Sequence, residues 1–278
     1  MKKMLTCLLF LMPAFLVSRA QKHKLVQLWS TDAVVATPES VLPDMKSKLL
    51  YVSLIDGNPW DADGKGGIGH MTDRGTNYDS LWITGLNAPK GLGMYKDKMY
   101  AADISEVAVV DITKGKLIRK IPVEGASGLN DITVTDKGVV YVSDSKTARI
   151  WKLEDDKPSL YLENVTGANG LKAIRDDLFY AKGSVLMKAD SKKQITKIAD
   201  VGKDIDGIEP VGNGDFIVTS WPGYIFYVYA NGQSELILDT HEAKKNTADI
   251  GYDPDKKILY VPTFFDRRIV AYQLSSLP

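Results

Sequence analysis

The sequence predicts an all-β protein, a six-bladed β-propeller built from four-stranded antiparallel blades. Three observations predict it. One short apolar strand pattern, usually with a tyrosine, recurs six times at a spacing of roughly 40 residues. A polar turn suited to a tight hairpin precedes most copies, and two more short strands follow each complete one. The alternative is a β-sandwich without true repeats.

The elements of the repeat can be followed along the chain. The recurring strands are Leu49–Ser53, Lys98–Ala102, Val139–Ser143, Leu178–Lys182, Asp215–Thr219 and Ile258–Pro262. Their composition is rich in β-branched and aromatic residues, which favours strands. Turns such as Thr135–Gly138 and Gly212–Gly214 come before them. Third strands are predicted at Ala148–Leu153 and Tyr224–Tyr229, and fourth strands at Ser159–Leu162 and Glu235–Leu238.

The two ends of the chain predict how the ring closes. The sixth unit stops after Ala271–Leu274 without an outer strand, and an additional strand, Lys24–Trp29, precedes the first unit. We therefore expect the N-terminal strand to complete the last blade, which would hide the edges of an otherwise open stack.

The first twenty residues have the features of a secretory signal peptide. Lys2 and Lys3 precede the apolar run Leu5–Val17, and Ser18–Ala20 places small residues at the expected cleavage site. We predict a signal peptide at residues 1–20 and a propeller domain at 21–278, exported to the periplasm or outside the cell. The single cysteine, Cys7, lies in the signal, so the mature chain is expected to fold without disulfides.

Charge and motif content exclude several classes of function. Lys plus Arg and Asp plus Glu both number 35, with no long basic run, which argues against nucleic acid as a partner. No downstream segment is long and apolar enough to span a membrane. No nucleophile elbow, phosphate-binding loop or dinucleotide fingerprint is present. A small-molecule substrate or ligand is the expected partner, and the sequence leaves the oligomeric state open.

Polar residues occupy the position where each predicted blade begins. The first strand of a blade lines the central channel, so these side chains should meet around the axis. The six residues are Glu39, Lys90, Asn130, Asn169, Asp206 and Asp249. Carboxylate and amide oxygens are the ligands that hard divalent cations prefer. Asn169-Gly170 and Asp206-Gly207 are also ordinary turn dipeptides, so each position alone has a purely structural explanation.

The segments around these positions resemble the regucalcin/gluconolactonase/LRE-like family of six-bladed propellers. The segments are Pro38–Val41, Leu129–Asp131, Ala168–Leu171 and Ile205–Ile208. The resemblance implies that Glu39, Asn169 and Asp206 hold a divalent metal, which would be calcium, magnesium, manganese or zinc. It further implies that Asn130 contacts the substrate or the water bound to that metal.

Lactone or ester hydrolysis is the activity that the resemblance implies. The metal would polarise the carbonyl, and Asp206 would accept a proton from the attacking water. Family members that handle sugar acids commonly carry an arginine just before the residue equivalent to Asn130, whereas this chain has Gly128 and Leu129. Segments such as Tyr141–Ser145 look like NHL-type propellers, so a non-catalytic propeller that binds a ligand or protein is the alternative.

Several other residues can be explained by a structural role as well as by a functional one. Lys90 is either a group that steers an anionic product or, in the interpretation we favour, an exposed charge on the rim. The segment Asp61–Gly66 is expected to form a loop near the channel mouth that could cover a substrate. Trp60, Trp221 and Tyr224 either stack on a ligand or pack between blades. The histidines at 23, 70 and 241 lack the spacing of a zinc site.

Overall fold

The computed structural model describes residues 22–277, and within them the predicted six-bladed propeller is confirmed. Six separate four-stranded sheets form, and every strand pairs antiparallel with its neighbour inside its sheet. The predicted signal peptide lies outside the described residues. Among residues 22–277, no helix is long and apolar enough to cross a membrane.

Each of the first three blades is made of four strands consecutive in the chain. Blade 1 contains β2 (Pro38–Asp44), β3 (Leu49–Leu54), β4 (Gly66–Thr72) and β5 (Asp79–Leu86). Blade 2 contains β6 (Pro89–Tyr95), β7 (Lys98–Asp103), β8 (Glu106–Asp111) and β9 (Lys116–Pro122). Blade 3 contains β10 (Leu129–Val134), β11 (Val140–Asp144), β12 (Arg149–Glu154) and β13 (Lys157–Leu162).

The next two blades repeat this order, and the sixth departs from it. Blade 4 contains β14 (Ala168–Ile174), β15 (Asp177–Lys182), β16 (Val185–Ala189) and β17 (Ile195–Asp200). Blade 5 contains β18 (Ile208–Gly212), β19 (Asp215–Ser220), β20 (Tyr224–Val228) and β21 (Ser234–Asp239). Blade 6 contains β22 (Gly251–Asp253), β23 (Ile258–Pro262), β24 (Ile269–Ser276) and, outermost, β1 (His23–Ser30). A 3₁₀ turn, Phe264–Asp266, lies between β23 and β24.

Ring closure joins the two ends of the described chain. β1 pairs antiparallel with β24 from His23 opposite Ser276 to Ser30 opposite Val270. The His23 ring also stacks on Tyr227 of blade 5, with centroids 3.8 Å apart. β1 thus forms the outermost strand of blade 6 and also contacts blade 5.

The hydrophobic core lies between neighbouring sheets. One cluster joins blades 2 and 3 through Tyr100, Val107, Leu129 and Val142, all buried. Comparable clusters fill the spaces between other adjacent blades. Since this apolar packing surrounds the axis, the innermost strands are held with their polar side chains toward a central channel.

Candidate functional site

The innermost strands begin around one mouth of the channel, and the polar residues predicted there are withdrawn from solvent. Five of the six are buried: Glu39 (5% exposed), Lys90 (2%), Asn130 (8%), Asp206 (4%) and Asp249 (9%). Asn169 is half-buried. Isolated polar groups are rarely buried without a partner or a function, so this ring is the candidate site.

A local irregularity shapes the mouth. The pairing of the first strand with the second shifts register next to the site residues in blades 1 to 4. The shifts fall between Pro38 and Val41, Pro89 and Leu92, Leu129 and Ile132, and Ala168 and Leu171. Such bulges are typical of strands near functional sites, where they redirect side chains. Asp131 directly follows Asn130 and nevertheless lines the channel.

Buried hydroxyl groups satisfy backbone groups next to the site residues that the strand ladder leaves unpaired. Ser53 Oγ accepts a hydrogen bond from the Ser40 amide at 2.8 Å. Ser143 Oγ accepts one from the Asp131 amide at 2.9 Å. In blade 5, Thr219 Oγ1 accepts from the Gly207 amide at 2.8 Å and donates to the Ala248 carbonyl at 2.9 Å. A side chain of the second strand therefore fixes the backbone beside the site residue in blades 1, 3 and 5.

Glycine is required where neighbouring blades approach most closely. A Cβ atom on Gly91 would collide with the Asp131 carboxylate, and one on Gly170 would collide with the Asp206 carbonyl oxygen. Glycine after the site residue in blades 2 and 4 thus lets adjacent first strands come together at the axis.

The side-chain amide nitrogens of two asparagines donate hydrogen bonds at the mouth. Asn169 Nδ2 donates to Asp206 Oδ1 at 2.9 Å. Asn130 Nδ2 donates to Ser145 Oγ at 3.0 Å, and Ser145 Oγ donates to the Ala168 carbonyl at 2.6 Å. The structure thus joins Asn169 to Asp206 directly and links Asn130 to the start of blade 4.

Three buried oxygens at the mouth have no hydrogen-bond partner within residues 22–277: Glu39 Oε2, Asn130 Oδ1 and Asn169 Oδ1. Buried polar atoms are nearly always satisfied, so an orphaned acceptor calls for a missing donor or cation. All three belong to residues that the sequence singled out. Their coincidence at one mouth fits a bound cation.

Burial and mutual repulsion raise the pKa values of the carboxyl groups. The pKa of Glu39 lies well above its ordinary value because of burial and then the nearby charges of Asp206 and Asp249, with Lys90 opposing. Burial and Asp249 raise the pKa of Asp206 to about 8, against the hydrogen bond from Asn169. Burial raises the pKa of Asp249 to about 7. Crowded carboxylates of this kind take up protons or a cation.

The donor set determines which cation would fit. Within residues 22–277, no group of three or more His, Cys, Asp and Glu side chains lies close enough to hold a metal. A site must therefore combine the carboxylates with the amide oxygens of Asn169 and Asn130. Oxygen-only donors suit calcium, magnesium or manganese better than zinc, which favours nitrogen and sulfur.

Lys90 is not the exposed rim charge that we favoured from sequence. It is almost fully buried, and its ammonium donates to the Pro59 carbonyl at 2.6 Å and the Ala88 carbonyl at 3.0 Å. It also lies 4.1 Å from the ring centroid of Trp60. Burial lowers the pKa of Lys90 to about 8, although Glu39 opposes this shift. The loop between β3 and β4 therefore covers Lys90, as expected for a segment near the mouth.

Sequence reasoning missed a second polar group deeper in the channel. A cavity of about 220 Å³ is lined there by Ser40, Asp131, Lys172, Glu209 and Asp249, among others. Ser40 Oγ donates to Asp249 Oδ2 at 2.6 Å, and Lys172 pairs with Glu209 at 2.7 Å. Lys172 and Glu209 each follow a ring residue by three positions in adjacent blades. Aligning the repeats at that position would have identified the pair.

Comparison by sequence gives no family: no family model and no curated protein matches this chain. Solved structures do match. A proposed gluconolactonase superimposes with a TM-score of 0.69 at 12% identity, covering 91% of this chain and 93% of its own. A catalytically inactive virginiamycin B lyase from Staphylococcus aureus, solved with quinupristin, gives 0.63 at 13% identity, covering 91% and 99%.

A third match widens the range of functions found on this architecture. A chain from a nidogen/laminin complex superimposes with a TM-score of 0.63 at 13% identity, covering 73% of this chain and 80% of its own. Identities this low establish a common architecture and no more, since one fold carries many activities. The chain shares its propeller fold with a proposed gluconolactonase, a lyase and a chain of a nidogen/laminin complex.

Proposed function

We propose that the protein is a metal-dependent hydrolase of lactones or related esters, acting at the channel mouth. The observation that carries the proposal is the set of three orphaned oxygens, Glu39 Oε2, Asn130 Oδ1 and Asn169 Oδ1, beside buried carboxyl groups. Glu39, Asn169 and Asp206 would hold the divalent cation. When bound there, the cation would polarise the ester carbonyl as a Lewis acid.

Asp206 is the residue proposed to move the proton. Its Oδ1 accepts the hydrogen bond from Asn169, and no other described residue hydrogen-bonds to Oδ2. Burial and Asp249 raise the pKa of Asp206 to about 8 in the absence of a cation, and a bound cation would favour the ionised carboxylate, which is the form that accepts a proton. Asp206 Oδ2 takes a proton from water as the water oxygen attacks the carbonyl carbon. The acyl–oxygen bond then breaks, and Asp206 returns the proton to the ring oxygen, which leaves a hydroxy acid.

Asn130 has a positioning role in this proposal. Its amide nitrogen is held by Ser145, which is held in turn by the Ala168 carbonyl, so Oδ1 stays aimed away from these partners. An acceptor fixed in this way orients a substrate hydroxyl or the attacking water. The proposed compartment is the periplasm or the extracellular space, on the features of residues 1–20 alone.

The experiment is elemental analysis of the purified protein followed by hydrolysis assays on a panel of lactones. The assays are run after chelation and after addition of calcium, magnesium, manganese or zinc. We expect one bound divalent cation and activity that returns with it. A protein that binds no divalent cation and hydrolyses no lactone or ester would contradict the proposal.

The second candidate is a propeller that binds a ligand or protein partner without catalysis. An exposed aromatic patch on loops of adjacent blades favours it: the Trp221 ring lies 5.8 Å from Phe265, and these side chains are 39% and 62% exposed. Exposed aromatic side chains often mark binding surfaces. Full cation occupancy without hydrolysis of any ester would favour this candidate over the hydrolase.

A further inference from the structure

Two lysines from different blades meet at one tryptophan over the channel mouth. Trp60 lies in the loop between β3 and β4 of blade 1. The ammonium of Lys90, at the start of blade 2, is 4.1 Å from its ring centroid, and that of Lys146, between β11 and β12 of blade 3, is 4.5 Å away. The two ammonium groups are therefore separated by no more than the sum of these distances.

No carboxylate neutralises Lys146 in the part of the chain that the structure describes. Its ammonium makes no hydrogen bond and no ion pair there, and its contact with Trp60 is a cation–π interaction. Lys90 donates only to backbone carbonyls, which carry no net charge. The charges of Glu39 and Asp103 act on Lys90, whereas Lys146 has no anionic partner among the described residues, so the Lys146 ammonium has the capacity to pair with an anion.

The carboxylates of the covering loop are directed elsewhere. Asp63 pairs with Lys65 at 3.0 Å. The nearby charges of Asp56 and Asp61 act on Lys65 as well, and together with Asp63 they raise the pKa of that lysine. The carboxylates of the loop are thus grouped around Lys65. The charged groups in contact with the Trp60 ring are the ammonium groups of Lys90 and Lys146.

The sequence makes specific room for Lys146. Gly128, just before β10, has no side chain, and a Cβ at that position would lie 2.6 Å from Lys146 Cγ and 2.8 Å from its Cβ. The aliphatic part of Lys146 therefore lies across the Gly128 backbone, two residues from Asn130. The ammonium group of Lys146 thus comes close to Asn130 from the β11–β12 loop. Any larger residue at position 128 would displace the Lys146 side chain.

We propose that Lys90, Trp60 and Lys146 form a subsite for an ionised group of the substrate, a carboxylate or a phosphate distinct from the ester that is hydrolysed. The inference rests on the proposed function, and it names the substrate class as a lactone or ester that carries a separate ionised group. The reacting ester lies toward Glu39 and Asp206, and the ionised group lies toward the two lysines. Attraction of the ionised group to the ammonium of the exposed Lys146 orients the substrate before reaction.

Binding to chelator-treated protein tests the subsite without the cation. Isothermal titration calorimetry at pH 7 compares glucarate and 6-phosphogluconate, which carry a second ionised group, with gluconate and neutral glucitol. We expect one or both doubly ionised compounds to bind at least about tenfold more tightly than gluconate, as hydrogen bonds to charged groups commonly provide. A gain for glucarate alone identifies a carboxylate, and a gain for 6-phosphogluconate alone identifies a phosphate.

Two variants separate the subsite from a general effect of charge. Lys146→Met keeps the aliphatic length but removes the ammonium, and it should abolish most of the tenfold advantage. Lys96→Met is the matched control, because Lys96 is exposed and its ammonium lies 4.9 Å from the Tyr95 ring, in the β6–β7 turn. It should leave the advantage unchanged. Equal binding of all four compounds, or equal losses in both variants, would overturn the inference.

The outcome for the subsite is distinguishable from that for the proposed function. A protein that prefers doubly ionised compounds but binds no cation and hydrolyses no lactone would retain the subsite and lose the hydrolase. A hydrolase that acts equally well on gluconolactone, glucarolactone and 6-phosphogluconolactone would retain the proposed function and lose the subsite.

Discussion

The carboxyl group of Glu39 has an environment that neither packing nor hydrogen bonding explains. It is 5% exposed, its Oε2 has no hydrogen-bond partner in the described part of the chain, and Asp206 and Asp249 are close enough to raise its pKa. A buried charge in such surroundings is costly unless something compensates it. A residue kept under these conditions is better explained by a ligand than by stability.

Neutralising a proposed cation ligand should remove cation binding and leave the fold intact. Glu39→Gln and Asp206→Asn keep size and shape, so we expect an unchanged circular dichroism spectrum. Loss of an outer-shell partner already weakens metal binding by roughly 10- to 100-fold, and loss of a charged ligand should exceed that. Titration calorimetry with calcium measures it. Glu124→Gln, an exposed acid on the β9–β10 connection, is the control. Full occupancy in both variants would refute the assignment.

Cation affinity should rise with pH between 6 and 8. Asp206, with a pKa of about 8, and Asp249, with a pKa of about 7, hold protons at pH 6 that a cation must displace. Each displaced proton strengthens binding up to about tenfold per pH unit below the pKa. Calorimetry at pH 6, 7 and 8 in two buffers of different ionisation enthalpy measures both affinity and proton release. Equal affinity at pH 6 and 8 would contradict this expectation.

The sequence predicted some site residues and not others for a structural reason. Glu39, Asn130, Asn169 and Asp206 open equivalent strands, so aligning the repeats was enough to find them. Asp131 was missed because strand alternation places successive side chains on opposite faces. The bulge after Leu129 breaks that alternation. The burial of Lys90 depends on a loop of another blade, which no pattern within its own strand reports.

At the level of elements, a hydroxyl on the second strand holds the first strand beside the site. Thr219→Val in β19 keeps the shape but leaves the Gly207 amide and the Ala248 carbonyl without their side-chain partner. Removing one partner of a buried hydrogen bond costs about 1–3 kcal/mol. We expect a loss of this size in urea unfolding, together with weaker calcium binding, because Gly207 adjoins Asp206.

A threonine away from the axis provides the control for that variant. Thr196 in β17 is exposed and makes no side-chain hydrogen bond in the described part of the chain. Thr196→Val should change the free energy of unfolding by less than about 0.5 kcal/mol. If Thr219→Val were as mild as Thr196→Val, the hydroxyl would not be holding the strand.

Strands were predicted well where the repeat was strong, and their ends were set by local backbone geometry. The predicted Leu49–Ser53 lies inside β3, and Lys24–Trp29 lies inside β1. The third strand of blade 3 was predicted from Ala148 but begins at Arg149, since Ala148 has a left-handed φ of 55°. In blade 5, Tyr229 ends up in the turn after β20. Alternation of side chains does not report where a chain turns.

At the level of the whole molecule, β1 closes the ring. A chain that starts at Thr31 would lose this strand, including the partly buried Trp29 ring, 6.0 Å from Tyr260. Deleting a packed aromatic side chain costs about 3–5 kcal/mol, and the β24 edge would become free to pair with other molecules. We expect a lower melting temperature and self-association on size-exclusion chromatography. A peptide of residues 22–30 should restore the monomer, whereas a scrambled peptide that works equally well would contradict this role.

The buried carboxyl groups also give the metal-free protein an unusual dependence of stability on pH. In the unfolded chain these groups lose their protons near the ordinary value of 3.8, whereas folded Asp249 and Asp206 retain theirs to about 7 and 8. Between these values the folded state binds more protons than the unfolded state, so the free energy of unfolding falls as pH rises. The stabilisation is complete below pH 3.8 and is lost toward pH 8.

Urea unfolding of chelator-treated protein at pH 5.5, 6.5 and 7.5 should therefore show a falling midpoint, and calcium at pH 7.5 should raise it again. Asp206→Asn should reduce the slope because its side chain does not titrate. His241 contributes with the same sign, because its hydrogen bond to Asp239 raises its pKa and the resulting stabilisation also falls as pH rises. His241→Gln should keep most of the slope if the channel carboxyls dominate. A midpoint that is constant or rises with pH would show that these carboxyls are not held protonated by the fold.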